Sequence, residues 1–228
     1  MIKTYFLVTL CVLFWSGNFI IGRYIKDNIT PLELAFFRWL FVFLMISPIL
    51  LLRHKKIYNS LKQNFKILLL LAALGITGFN TILYFGLTAT TSTNALIINS
   101  TVPILILLLS FVILKQKITP HQTIGILLST FGVVFLILKA DINNLFLLEF
   151  NKGDLLILTA AFTWALYSVL VKLKPKDLND IEYFATIVTI GLLLLLPFYL
   201  YQGYKIEHEL QILTNNYPVF LYVSLFPS

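Results

Sequence analysis

The sequence predicts an all-α polytopic membrane protein, an inverted repeat of five-helix units with ten helices in the full fold and about seven and a half present here. Three observations predict it. The first is composition: 59% of the 228 residues are hydrophobic and 12% are charged, with a mean hydropathy of +0.90. A soluble domain carries about 25% charged residues, so water is not the main solvent of this chain. The second is segment length. Several stretches, apolar all round rather than on one stripe, reach the roughly 20 residues that cross about 30 Å of hydrocarbon. The third is an internal period. Slid along itself by 149 positions, the chain brings Trp15 onto Trp164, Glu33 onto Glu182, Pro48 onto Pro197 and Thr30 onto Asn179. Those residues are rare or helix-capping in a Leu/Ile/Phe-rich background, and they meet without a gap.

Taken in order, the apolar stretches place helices at 4–23, 33–52, 66–86, 94–114, 121–138, 154–172 and 182–201, with an eighth starting near Tyr217. Lys3 before an apolar run is like a signal peptide, but no small-residue cleavage site follows and Trp15 to Tyr24 continues as a span. Thr30-Pro31-Leu32-Glu33 reads as an N-cap, a proline at the first helical position and a Glu three after the cap, which is a capping box. Thr119-Pro120-His121-Gln122 and Asn179-Asp180-Ile181-Glu182 repeat the device. Such caps satisfy the free N–H groups of a helix entering the membrane. Short connections make neighbouring helices antiparallel. Cys11 lies within an apolar run as a small packing residue and cannot form an internal disulfide.

Charge sets the orientation, because Lys and Arg are enriched in cytoplasmic loops. With the N-terminus inside, Lys3, Arg53, Lys55, Lys56, Lys62, Lys66, Lys115, Lys117, Lys172, Lys174 and Lys176 all fall on the cytoplasmic side. Arg23, Lys26, Lys139, Lys152 and Lys205 fall outside, along with Asp141, Glu149, Asp154, Glu207 and Glu209. The formal net charge of +7 is thus accounted for by topology. Nucleic-acid binding would need a basic face with interleaved aromatics in a soluble domain, and the sequence offers none. The partners implied are the lipid bilayer and a small-molecule solute; the oligomeric state is not encoded in any visible pattern. The first unit, residues 1–140, has five spans. Five is odd, so the second unit, 150–228, enters from the opposite side. The period puts the end of that second unit near residue 287, about 59 residues beyond Ser228.

At this point the residues resemble a family. Gly153-Asp154 followed by Trp164-Ala165-Leu166-Tyr167 is similar to the start of the second repeat in the EamA family of the drug/metabolite transporter superfamily. Phe36-Phe37-Arg38 resembles that family's second helix, and Asn99-Ser100-Thr101-Val102-Pro103 through Leu114 its fourth. Gly125 to Gly132 resembles its fifth helix, and Leu225-Phe226-Pro227-Ser228 the opening of its eighth. The family usually closes the fourth helix with Gly-Glu-Lys or Gly-Glu-Arg; here Lys115-Gln116-Lys117 replaces the carboxylate by an amide. The resemblance implies ten helices in two five-helix halves, 1–140 and 150–228, moving small metabolites across the inner membrane.

Polar groups in hydrocarbon are costly and face a bundle interior or a water-filled cavity. On that ground Trp15, Asn18, Arg38, Asn80, Tyr84, Asn99, Trp164 and Tyr167 are the candidate substrate-binding residues. Trp15 and Asn18 share a helix face, and Trp164 and Tyr167 are their repeat counterparts. Asn80 and Tyr84, four apart, share another. Asn99 precedes Ser100, Thr101 and Pro103, and that proline frees a carbonyl and breaks the helix, exposing backbone dipoles at mid-membrane. The competing role for each is a structural bond between helices. Two roles fit Arg38: snorkelling to the outer headgroups, or anchoring an anionic substrate group or gate ion pair. Ile187 is its repeat counterpart, so such a site is asymmetric.

No metal- or cofactor-binding motif is present, and no HExxH, GxSxG, CxxC or acidic pair within a span supports an enzyme. A non-transporting or truncated membrane protein is the other alternative to a carrier. No carboxylate falls at mid-membrane: Glu33 and Glu182 cap helices, while His54, His121 and His208 fall in loops. Facilitated exchange, or coupling through groups beyond Ser228, follows. The topology has a direct check. Reporter fusions in the segments Arg53–Lys66 and Lys172–Lys176 are expected on one side of the membrane, and opposite sides would overturn the inverted repeat.

Overall fold

The structure is a computed structural model and describes residues 2–137, 151–203 and 205–226. Among these residues the chain is helical, without a strand. Helix α1 spans Ile2–Tyr24 and α2 Pro31–Ala72. A π-helical stretch, Ala73–Gly78, joins α2 to α3, Phe79–Ala89. Then come α4, Ser92–Asn99, α5, Val102–Leu114, and α6, Pro120–Ile137. The last three are α7, Lys152–Leu170, α8, Asp180–Tyr201, and α9, Ile206–Leu225. Lys139, Asp141 and Glu149, assigned above to an outer loop, lie outside the described residues.

The capping boxes form as the sequence indicates. Thr30 Oγ1 accepts from the Glu33 N–H at 3.3 Å while Glu33 Oε2 accepts from the Thr30 N–H at 2.7 Å. Asn179 and Glu182 repeat the exchange at 2.8 and 3.0 Å, and so do Thr119 and Gln122. A fourth box, Asn151 with Asp154, starts α7.

Four expectations change. Residues 53–65 are not a loop: α2 runs on through them to a kink at Asn64, where φ is −121° and ψ 23°. Arg53-His54-Lys55-Lys56-Ile57-Tyr58 and the residues after it include neither Gly nor Pro, so hydropathy ends there while helix propensity does not. From Pro31 to the kink α2 is roughly 50 Å long at 1.5 Å per residue, so it projects well past the hydrocarbon. Likewise α9 starts at Ile206, not Tyr217, and kinks at Asn216 with φ −121° and ψ 18°. His54, His121 and His208, expected in loops, all lie on helices. The break expected before Pro103 is present: 94–114 is two helices, α4 and α5, parted at Ser100-Thr101. Cys11 is exposed on the outer face rather than packed.

Cross-helix bonds fix the direction of each element. Arg23, at the end of α1, donates to the carbonyls of Leu87 and Thr88 at 2.8 and 2.7 Å, satisfying the open end of α3. The chain therefore leaves this end along α2 and returns to it along α3. At the same end Asp154 of α7 accepts from the Thr90 hydroxyl at 2.5 Å. There the backbones nearly touch: a Cβ on Gly153 would lie 2.7 Å from Gly86 O and from Thr90 N, which is why a glycine precedes Asp154. At the opposite end Lys172 donates to Gln116 Oε1 at 3.1 Å, and Lys56 of α2 pairs with Glu182 of α8 at 2.6 Å. The basic residues of α2, of the α5–α6 turn and of the α7–α8 turn thus gather at one end.

Helices α2 and α8, equivalent under the 149-residue period, lie side by side and antiparallel. Lys56 near the far end of α2 meets Glu182 at the start of α8, while Phe36 near the start of α2 stacks on Tyr199 near the end of α8, 4.1 Å between centroids. Among the described residues five stretches are long and apolar enough to cross a membrane: Lys3–Tyr24, Pro31–Ala89, Ser92–Leu114, Lys152–Leu173 and Asp180–Tyr201. Pro31–Ala89, at 59 residues, crosses out and back. Large apolar side chains such as Leu127, Leu128 and Phe131 point outward, while Asn18, Arg38 and Asn80 are buried. That is the distribution a bilayer selects.

Lys115 closes α5 in the left-handed conformation, φ 52°, at the position where the related motif carries Gly. A side chain there costs about 1 kcal/mol or more. Lys115→Gly is therefore expected to raise the thermal unfolding midpoint in detergent micelles, by an amount equivalent to about 1 kcal/mol; an unchanged or lower midpoint counts against it.

Candidate functional site

Three of the predicted residues converge on the guanidinium of a fourth, Arg38. Arg38 is 3% exposed and sits on the inner face of α2. Its Nη1 donates to Asn18 Oδ1 of α1 at 3.2 Å, to Asn80 Oδ1 of α3 at 2.8 Å and to the Tyr84 hydroxyl oxygen at 2.9 Å. The Tyr84 hydroxyl in turn donates to Asn18 Oδ1 at 2.8 Å. The network answers the choice left open by the sequence: Arg38 does not snorkel outward but points into the bundle. From α9, the Ser224 hydroxyl donates to the Arg38 carbonyl at 3.1 Å.

The network borders a cavity of about 630 Å³ between α1, α2, the π-helical stretch, the α4–α5 break, α6 and α7. Seven of the eight predicted residues line it: Trp15, Asn18, Arg38, Asn80, Asn99, Trp164 and Tyr167. Tyr84 stands behind the wall as a buttress, 2% exposed. The repeat-related Trp15 and Trp164 meet edge to face, with centroids 5.7 Å apart and planes at 90°. Phe79 and Tyr167 flank Trp164 at 4.8 and 5.1 Å. One side of the cavity is thus aromatic and the other polar. Among the described lining residues Arg38 carries the only formal charge.

Several lining residues escaped the sequence reading. Trp39 is 3% exposed, borders the cavity, and its buried indole N–H has no hydrogen-bond partner. It was visible only as a rare residue beside Arg38. Gly75 lies in the π-helical stretch, a local widening that recurs at functional sites, and a Cβ there would come within 2.7 Å of the Tyr167 ring. Its absence lets that ring reach the cavity. The Thr77 hydroxyl donates to the Gly191 carbonyl of α8 at 3.0 Å, tying this stretch to the second half of the chain. Among the described residues no group of three His, Cys, Asp or Glu side chains could hold a metal ion.

A bundle of bilayer-length helices around a part-polar cavity defines a multi-pass membrane protein. The chain belongs to the EamA-like transporter family, which it matches over residues 2–138 and 151–228, and with it to the drug/metabolite transporter superfamily. It is 30% identical over 165 residues to an uncharacterized transporter of Bacillus subtilis, covering 72% of this chain and 54% of that protein. It is 29% identical over 205 residues to an uncharacterized transporter of Archaeoglobus fulgidus, covering 89% and 68%. A Rickettsia prowazekii protein named as an S-adenosylmethionine uptake transporter is 24% identical over 177 residues, covering 76% and 57%. The chain thus spans about half to two thirds of these relatives' length. No solved structure matches it.

Removing the shared acceptor tests the network. Asn18→Leu leaves both Arg38 and Tyr84 one acceptor short, and the expected cost is about 1–3 kcal/mol of stability. Tyr84→Phe in the same background is expected to cost less than it does alone, because the two substitutions break one network. Thermal unfolding of the three variants in detergent measures both; strict additivity would show that the groups act independently.

Proposed function

We propose that this chain is the larger part of an alternating-access carrier for small solutes bearing a carboxylate. The observation that carries the reading is the Arg38 guanidinium on the cavity wall, with Trp39, whose buried indole N–H lacks a partner, beside it on the same wall. A guanidinium held by three oxygens is pre-oriented, so a ligand carboxylate arriving beside it meets a fixed donor and little rotamer entropy is lost. The aromatic wall of Trp15, Trp164, Phe79 and Tyr167 accepts the solute's remainder, whether apolar, aromatic or cationic. S-adenosylmethionine, the solute in the Rickettsia relative's name, has a carboxylate, a cationic sulfur and a flat base, the chemistry that such a pair of walls suits.

The antiparallel α2 and α8 and the meeting of Trp15 with Trp164 support two like halves, 1–140 and 150–228, related by a pseudo-twofold axis through the cavity. In that arrangement each half closes one entrance, and the solute site lies where both contribute. The clustering of Arg53, Lys56, Gln116, Lys172 and Lys174 at one end supports an inner-membrane protein with a cytoplasmic N-terminus. The transporter reading is supported by the family match and by a cavity that offers positioning donors and aromatic faces.

The test uses ligand stabilisation. Free amino acids of increasing side-chain size are expected to raise the unfolding midpoint of the chain in detergent, and their carboxamides are not. Trp39→Phe removes one donor to a charged acceptor, so affinity for the free acids is expected to fall about tenfold or more. Equal stabilisation by acids and carboxamides would overturn the carboxylate reading.

A further inference from the structure

Glu33 and Glu182 are repeat equivalents at opposite ends of the bundle, each capping its helix and each nearly buried. They are held by different partners. Glu182 pairs with Lys56 at 2.6 Å and lies 3.8 Å from Arg53, both permanently charged. Glu33 pairs with His208 Nε2 at 3.6 Å.

The two partners are themselves equivalent. Both kinks are built alike: Asn64 Nδ2 donates to the carbonyl four residues back at 3.2 Å, and Asn216 Nδ2 does the same at 3.1 Å. Asn216 follows Asn64 by 152 positions rather than 149, so the second half gains three residues between Pro197 and its kink. At that offset Lys56 corresponds to His208 and Arg53 to Lys205. Lys56 and Arg53 thus meet the glutamate at one end, and an imidazole meets it at the other.

A third group marks the titratable end. Glu209 is 7% exposed, and its Oε2 is buried with no hydrogen-bond partner. The groups facing it are Glu33 from α2, Tyr199 from α8, which hydrogen-bonds to it, and His208 from its own helix. Burial is the main influence raising the Glu209 pKa; the Tyr199 bond lowers it, the Glu33 charge raises it and His208 lowers it, with a net rise.

We propose that Glu209, Glu33 and His208 form a proton-binding site that latches the start of α9 to the start of α2 when it is loaded. The proposal rests on the two-entrance reading above. A proton on Glu209 turns a buried anion into a neutral group with an O–H to donate, and a proton on His208 completes the ion pair with Glu33. When both protons leave to the solution at that end, two carboxylates face each other in a desolvated site beside a neutral imidazole, and α9 separates from α2. Because burial raises the Glu209 pKa, its proton is held at acidic pH and is lost as pH climbs through the raised value. The opposite end offers no imidazole: Lys56 and Arg53 meet Glu182 there.

Spin labels at the exposed Asn28 and Gln211 report the separation of these ends in the full chain in lipid nanodiscs, with Cys11→Ser removing the native thiol. The expected result is one short distance at about pH 5 and a longer population at least about threefold larger at about pH 8. Glu209→Gln keeps the short distance at both, and a second pair at Gln63 and Asp177 shows no change. Identical wild-type distributions at the two pH values overturn the proposal, and so does a pH response that survives in Glu209→Gln. A working latch in a chain that free amino acids do not stabilise would remove the carboxylate-carrier reading and leave the proton site in place.

Discussion

The arrangement depends on burying one guanidinium inside a lipid-solvated bundle. An arginine at the centre of a bilayer costs at least about 2.5–3.5 kcal/mol even on insertion scales. That cost is borne only where polar oxygens meet it from fixed directions. Arg38 finds them on α1 and α3, at Asn18, Asn80 and Tyr84. Each of these must sit within hydrogen-bond reach, so the register of three helices is set together. The apolar contacts around them are permissive by comparison: Leu, Ile and Val slide past one another and past lipid tails with little change in free energy, whereas a displaced Asn18 strands both a cation and a hydroxyl. The cavity wall is consequently stiff on the side where a solute's charge would lie.

The sequence makes this network legible in outline. Asn18, Arg38, Asn80 and Tyr84 stand out because a polar side chain within an apolar run needs a reason, and the reason turns out to be shared. The 149-residue period also has a physical reading, since Trp15 and Trp164 meet each other and α2 lies antiparallel to α8. What stays hidden is of two kinds. Helix ends outside the bilayer are invisible to hydropathy: residues 53–63 and 206–215 are polar enough to read as loops, yet nothing in them stops a helix. Partnerships across long separations are the other kind. Glu209 reads as one more exposed loop acid until α8 and α2 close over it, and Trp39 carries no signal of its own until its N–H is seen to lack an acceptor.

The departures from symmetry are more informative than the symmetry itself. Where the halves agree, at the capping boxes, the Asn kinks, the Pro48–Pro197 pair and the facing tryptophans, the residues serve the folding of a helix or the shape of the cavity. Where they disagree, the difference is one of charge. Arg38 is matched by the fully buried Ile187, and Lys56 by His208. Folding requires like backbones on both sides of the pseudo-axis, and it places no such demand on electrostatics.

A carrier whose two ends were chemically identical would open either one with equal ease, and only the solute gradient would set direction. Replacing one permanent cation by an imidazole, and adding a buried carboxyl next to it, makes the free energy of opening one end depend on the proton concentration there. The other end keeps a lysine–carboxylate pair with no imidazole in it. Two helices of common origin thus acquire different opening energies through three side chains, with no change in the backbone that carries them. The same logic accounts for the placement of the asymmetry. A titratable pair at mid-membrane would be desolvated in every state, whereas one at the mouth is desolvated only when that mouth is closed, so its protonation reports and biases the closure itself.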